Sequence, residues 1–599
     1  MSSQSIKQLL RRLWLHISPR RRGQFVFLLL LMLLASFAEI VSIGAVLPFL
    51  SVLTGPERVF EHSAAQPFIN TLGLTAPRQL LLPLTMAFGA AALIAGSMRL
   101  LLLWASSRLS FATGADLSDA IYRRTLYQPY AVHIGRNSSS IVSGITNKVA
   151  ISVNVLSQVL ALLSAVILLL SIAFALIVIS PEVALIASLV FGFSYGVISW
   201  ASRRQLKRNS QRIADAQTQV VKALQEGLGG IRDVLIDGTQ AVYCDVYHQA
   251  SRQLRAAMAS NVFIGGGPRF AMEALGMVLI ALLAYGVSSQ PGGVATALPV
   301  LGALALGAQR LLPSLQQIFN AWAIIAGSQS SLENTIDLLD QPISNANEHS
   351  EIERLHLKEE IRFSDVKFRY ASNTTWVLDG LTLSITKGSR VGIVGSTGSG
   401  KSTTLDLLMG LLAVTEGALL IDGKPIETDD QVRAWQKSIA HVPQTIYLTD
   451  ATLAENIALG VPLAKIDFER VRRVSHQARL SDFIVGRSDG YNAMVGERGV
   501  RLSGGQRQRI GIARALYKQA DVLIFDEATS ALDNTTEQSV MDAIDSLDRN
   551  LTIIMVAHRL STVKRCDVIY ELEMGRVVAQ GSFDKLLQSS ATFRQSALV

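Results

Sequence analysis

Eight consecutive residues, Gly395-Ser396-Thr397-Gly398-Ser399-Gly400-Lys401-Ser402, have the types and order needed to hold phosphate. The glycines let backbone N–H groups close around phosphate oxygens, Lys401 reaches the outer phosphates, and the Ser402 hydroxyl can bind Mg²⁺. Thr403 follows directly and belongs to the same nucleotide-binding set. So short a P-loop pattern is only as good as its surroundings, which must supply a strand before it and a helix after it.

They do. The apolar run Arg390-Val391-Gly392-Ile393-Val394 reads as a buried parallel strand, and residues 402–412 have a helical pattern, so the loop ends where helix N–H groups favour phosphate. A second apolar run, Asp521-Val522-Leu523-Ile524-Phe525, delivers Asp526 and Glu527. Asp526 fits a Mg²⁺-holding carboxylate and Glu527 a carboxylate that orients the attacking water. A third run, 551–557, places His558 at the C-terminal edge of the sheet, where ligands of open α/β sheets bind. Singly, strand-end acids often cap the next helix and a lone histidine is usually structural. Five elements in register leave little room for that reading.

Further motifs are Tyr370 in Phe368-Arg369-Tyr370, Gln444 in Val442-Pro443-Gln444, Val495-Gly496-Glu497-Arg498-Gly499, Leu502-Ser503-Gly504-Gly505-Gln506 and Ser530-Ala531-Leu532-Asp533. On these, the chain from about residue 360 resembles the nucleotide-binding domain of an ATP-binding cassette (ABC) transporter. The resemblance implies ATP and Mg²⁺ as cofactors. It implies that Tyr370 stacks on adenine, that Ser402, Gln444 and Asp526 hold the metal, and that Glu527, His558 and Gln444 serve hydrolysis. Residues 495–499 match the exporter X-loop, and Asp533 closes the D-loop beside the nucleotide. Ser503, Gly504, Gly505 and Gln506 form the family signature, which caps the γ-phosphate held by another domain's P-loop, so a second copy of the chain is implied as partner.

The chain has 599 residues, 49% hydrophobic, with a mean hydropathy of +0.33, too apolar for an average soluble protein. The excess lies before residue 328. Six stretches long enough to span a bilayer, about 20 residues each, fall at 25–53, 79–105, 155–179, 182–202, 265–287 and 296–326. Pro181 separates the third from the fourth, and polar, basic, helical segments occupy 106–154 and 203–260. The first stretch is too long for a cleaved signal peptide. Before Phe25 stand Lys7, Arg11, Arg12, Arg20, Arg21 and Arg22 with no acidic residue, which places the N-terminus, and after six spans the ATPase domain, in the cytoplasm. The excess of 55 basic over 47 acidic residues suits anionic lipid head groups better than nucleic acid. Cys244 and Cys566, both on cytoplasmic segments, imply no disulfide framework.

The fold expected is a membrane α-helical domain of six transmembrane helices, ABC exporter type, fused to an α/β P-loop NTPase cassette: a half-exporter. Its parts are a basic segment 1–24, a transmembrane domain 25–327, a linker 328–350 and a nucleotide-binding domain 351–599. By resemblance, turns near 132–140 and 227–236 would be coupling helices that dock on cassettes, the second on the partner's.

Three arginines fall at membrane depth, where an unpartnered charge is costly: Arg99, Arg269 and Arg310. Converging on one cavity they would suit a phosphate or pyrophosphate. As structural residues, Arg269 could pair with Glu273, Arg99 could snorkel to the surface, and Arg310 could be neutralised by Glu39. Ser36-Phe37-Ala38-Glu39-Ile40, Leu47-Pro48-Phe49-Leu50, Gly267-Pro268-Arg269 and Arg310-Leu311-Leu312-Pro313-Ser314 resemble bacterial lipid-linked oligosaccharide flippases of the PglK type. That resemblance implies a homodimer in the bacterial inner membrane that flips polyprenyl-pyrophosphate glycans outward, with the arginines on the pyrophosphate. An exporter of drugs or lipid A-like lipids is the alternative.

Overall fold

The computed structural model describes the chain except residues 1–3, 55, 62–65, 180, 289–310, 343–351, 497–498, 528–533, 558 and 598–599. It divides into two compact units, Met1–Gln128 with Arg136–Pro342, and Pro129–Gly135 with Ile343–Val599.

The first unit is helical, its long helices being Pro19–Thr54, Leu81–Leu126, Val149–Ile179, Pro181–Gly229, Gln240–Gly266 and Pro268–Ser288. In Pro19–Thr54 a stripe of Leu28, Leu31 and Met32 is buried against Leu109, Leu156 and Leu160. The opposite face carries Val26, Phe27, Leu30 and Phe37, all exposed. A helix apolar on both faces is what a membrane-crossing segment requires. Among the described residues, Pro19–Ser42, Pro77–Leu126 and Ser138–Phe174 are long and apolar enough to cross a membrane. The stretch 182–202 opens the helix Pro181–Gly229, which runs on into polar sequence, and 265–287 spans the end of Gln240–Gly266 and most of Pro268–Ser288. Much of 296–326 lies outside the described residues.

After Pro181–Gly229 the chain makes a short helix, Ile231–Ile236, and returns as Gln240–Gly266, with Ile213 and Ala216 packed on Leu254 and Ala257. At the other end, the amphipathic helix Ile6–His16 buries Leu9 and Leu13 in a cluster with Leu117, Ile121, Leu332, Ile336 and Leu339. The last three sit on a helix, Gln329–Leu339, in a stretch expected as linker. Its polar composition hides an apolar face, and Asp337 and Asp340 bind Arg12, so this part of 328–350 belongs to the helical unit. Arg21 likewise pairs with Asp116 at 2.8 Å, so part of the basic N-terminal segment is spent on ion pairs within the protein.

The second unit holds a six-stranded sheet in the order β10 (Arg576–Gly581), β9 (Val568–Glu573), β3 (Arg390–Gly395), β8 (Thr552–Val556), β7 (Val522–Asp526) and β6 (Ile439–Val442). All neighbours but β10 and β9 run parallel. The apolar runs read as buried strands are its centre, as parallel sheets covered on both faces require. A four-stranded antiparallel sheet, β2 (Leu378–Thr386), β1 (Glu360–Phe368), β4 (Glu416–Ile421) and β5 (Lys424–Pro425), packs beside it through Phe363, Leu381, Leu383 and Leu405. The short helix Tyr130–Ile134 also belongs to this unit.

Candidate functional site

The parallel strands set the site. β3, β7 and β8 are neighbours in one sheet and end at the same edge, so Gly395, Asp526 and Val556 finish side by side although they are far apart in sequence. At that edge β3 enters the phosphate-binding loop. Gly395 has φ +152°, and a Cβ there would fall 2.2 Å from the Leu572 carbonyl oxygen, so only glycine fits. Gly400, at φ +100°, caps the helix Lys401–Leu408. That helix was expected to reach 412. It stops earlier because Gly410 turns left-handed, at φ +64°, and the Leu411 N–H returns to the Asp406 carbonyl.

Lys401 is buried, and its Nζ donates to the carbonyl oxygens of Gly395 at 2.8 Å and Ser396 at 2.9 Å. Burial pulls its pKa down, while Glu527 and Asp526 pull it up. Both carboxylates therefore lie within electrostatic reach of the lysine. Ser396, Thr397, Gly398 and Ser402 are exposed on the loop, and Ser399 is buried beneath it. The Tyr370 hydroxyl lies 3.2 Å from Thr403 Oγ1, with the ring more than half exposed beside the loop. Glu527 follows the last residue of β7, and its N–H donates to the Val556 carbonyl at 2.9 Å. Its φ of +46° turns the side chain away from the strand direction. Gln444 Nε2 donates to Glu527 Oε2 at 2.8 Å.

Two contributors escaped the sequence reading. Gln508 Nε2 donates to the Gln444 carbonyl at 3.1 Å and so holds the loop that carries Gln444. Asp406 sits near Asp526, and burial together with that neighbour pushes its carboxyl up to about 6. Gln508 lies two residues past Gln506, the one hint available, whereas nothing in the sequence around Asp406 marks it.

Residues 378–530 match the family model for the ABC transporter, and residues 25–294 that for the ABC transporter transmembrane region. An ATP-dependent lipid A-core flippase of Chromohalobacter salexigens is 32% identical over 398 residues, 66% of this chain and 68% of that protein. The chain belongs to the ABC transporter family. Another ATP-dependent lipid A-core flippase, from Cupriavidus metallidurans, is 33% identical over 391 residues, and the match spans 65% of the length of each protein. A putative multidrug export ATP-binding/permease protein of Bacillus subtilis is 28% identical over 493 residues, 82% of this chain and 83% of that one. A solved structure of a bacterial Atm1-family ABC exporter with ATP bound superposes with a TM-score of 0.76 at 25% identity, covering 96% of this chain and 97% of the other.

In this ABC transporter the signature begins a helix, Gly504–Tyr517, with Ser503 as its N-cap. Ser503 Oγ accepts from Gln506 N–H and Gln506 Oε1 accepts from Ser503 N–H, a reciprocal cap that fixes the helix N-terminus. Among the described residues, no hydrogen bond or ion pair links residues 503–506 to residues 395–403. His558, Asp533, Glu497 and Arg498 lie outside the described residues, as does Arg310. Of the other membrane arginines, Arg99 pairs with the buried Glu39 at 2.5 Å and Arg269 with Glu273 at 2.8 Å. Arg99, read as able to snorkel outward, is instead committed to a carboxylate on a neighbouring helix. Cys566 is buried and Cys244 exposed, both free.

Proposed function

We propose that the chain is one half of an ATP-driven exporter that works as a homodimer and moves a lipid-linked oligosaccharide from the inner to the outer leaflet of the bacterial inner membrane. The observation that carries the ATP-driven part is the Glu527 carboxylate, held by Gln444 at the sheet edge beside Asp526 and within electrostatic reach of Lys401. In this reading the loop 395–402 with Thr403 wraps the phosphates, Tyr370 stacks on adenine, and Glu527 orients water.

The donor set suits Mg²⁺: one hydroxyl, Ser402, one carboxylate, Asp526, and one amide, Gln444, leave room for phosphate oxygens and water, as this ion prefers. When bound, the ion would offset phosphate charge. The exposed start of the signature helix, fixed by its own cap, is suited to an anion presented by another copy. Leu228, Ile231, Leu235 and Ile236 leave the turn after the helix Pro181–Gly229 apolar and exposed, as a surface that meets a second copy would be. The N-terminus and the nucleotide-binding domain face the cytoplasm in this proposal.

For the cargo, the support is the resemblance of the first, fifth and sixth spans to lipid-linked oligosaccharide flippases. The second reading, export of a lipid A-like lipid or a drug, is favoured by the Arg99–Glu39 and Arg269–Glu273 pairs, which already give these arginines partners. Reconstitution into vesicles decides between them. With a fluorescent polyprenyl-pyrophosphate glycan in one preparation and a lipid A-core lipid in another, ATP-dependent flipping of the first alone is expected. Flipping of the second alone makes this an exporter of another class.

A further inference from the structure

We infer that the helical unit holds a binding site for the phosphate headgroup of an anionic phospholipid, separate from the arginines discussed above. A cavity of about 700 Å³ is lined by Gly196, Ser199, Trp200, Arg203 and Lys207 of the helix Pro181–Gly229, and closed by Trp322, Ala326 and the Gln4–Ile6 stretch. Its size is that of a small-molecule site. The first five residues recur at helical spacing, so they form one stripe along one face. Along that stripe the chemistry changes in a set order. Gly196 leaves space, Ser199 and Trp200 come next, Trp200 being 81% exposed, and the two cations follow.

The order matches a membrane boundary. Residues 182–202 are the expected fourth span and 296–326 the sixth, so Trp200 and Trp322 both mark inner ends of spans. Tryptophan settles at headgroup level, and basic residues on the cytoplasmic side attract anionic lipid. The cavity wall is built: Gln329 Nε2 donates to the Gln4 carbonyl at 2.6 Å, Arg12 donates to Gln4 Oε1 at 2.6 Å, and Trp322 packs on Phe319 with ring centroids 5.5 Å apart. Among the described residues neither Arg203 nor Lys207 has an acidic partner, whereas Arg12 and Arg21 nearby in the helical unit do. A phosphate between Arg203 and Lys207, with the acyl chains running past Trp200 toward Gly196, satisfies the charges and covers the exposed indole. The inference rests on this cavity and is independent of which lipid is exported.

Native mass spectrometry of the full-length transporter, titrated with phosphatidylglycerol and separately with phosphatidylcholine, tests it. The first phosphatidylglycerol is expected to bind more tightly than the first phosphatidylcholine. Near a membrane surface each basic residue strengthens anionic lipid binding about fivefold. Arg203→Gln with Lys207→Gln should therefore weaken the first phosphatidylglycerol by about 25-fold and leave phosphatidylcholine unchanged. The charge-keeping pair Arg203→Lys with Lys207→Arg should retain the preference, and either single glutamine variant should lose part of it. A double glutamine variant with the wild-type preference overturns the site. So does a tightest site filled by a polyprenyl-pyrophosphate lipid that phosphatidylglycerol cannot displace, which would make the cavity part of the cargo path.

Discussion

Gln444 Nε2 and Glu527 Oε2 are 2.8 Å apart although 83 residues separate them. The loop after β6 and the end of β7 meet because these strands are hydrogen-bonded neighbours, Val442 pairing with Phe525. The side chain credited with orienting water is therefore itself oriented, by an amide that Gln508 holds from behind. This gives Gln444 a positioning role through Glu527, apart from any contact with Mg²⁺.

Replacing Glu527 by Gln should leave ATP binding near wild type while lowering steady-state hydrolysis by orders of magnitude, because the contacts to phosphate come from the loop. Gln444→Ala should lower kcat more than it raises KM, as loss of a positioning hydrogen bond does. Lys401→Ala should instead lose ATP affinity. Equilibrium binding beside turnover separates the three. Wild-type hydrolysis by Glu527→Gln would remove this carboxylate from the mechanism.

If signature and P-loop complete one another across two copies, Ser503→Arg and Lys401→Ala homodimers should both be inactive, while co-expression of the two should restore one site in the mixed dimer. ATPase activity of tandem-purified mixtures measures this. A monomer that hydrolyses ATP at the full rate would contradict the shared site.

The membrane ion pairs make opposite predictions to a cargo site. Glu39 is 2% exposed, so Arg99→Ala would take a charge partner from a buried carboxylate and lower the melting temperature, and Arg99→Ala with Glu39→Ala should recover most of that loss. The exposed Arg269–Glu273 pair should show a smaller coupling, because solvent screens it. If single arginine variants keep their stability yet lose flipping of a pyrophosphate lipid, the arginines contact cargo.

Asp406 gives a pH test. Its carboxyl is raised from 3.8 to about 6, by burial first and Asp526 second. The folded state thus disfavours its charged form, and stability falls as pH rises through the interval from about 4 to 6, with the full penalty present above it. Asp406→Asn should stabilise the protein at pH 8 by on the order of 1 kcal/mol, after allowance for its partial exposure, and the gain should vanish near pH 4. Thermal melts at both pH values read the difference. Equal melting at pH 8 would mean that the carboxylate is not penalised there.

Local physics made much of this chain legible without coordinates. Loop 395–402 needs glycine for backbone reasons visible in any chain, and the three apolar runs before Gly395, Asp526 and His558 read as buried strands whose ends carry the site residues. Hydropathy likewise marked the first three spans, because a bilayer filters by length and composition alone. What depended on three dimensions was which distant residues meet. Strand order decided that Gln444 lands on Glu527, helix packing decided that Glu39 receives Arg99, and an apolar face invisible in composition drew the residues of Gln329–Leu339 out of the linker and into the helical unit. Asp406 and the groove of Trp200, Arg203 and Lys207 with Trp322 acquire their chemistry from neighbours on other elements. A charge's energy depends on what surrounds it, and the order of residues along the chain does not specify those surroundings.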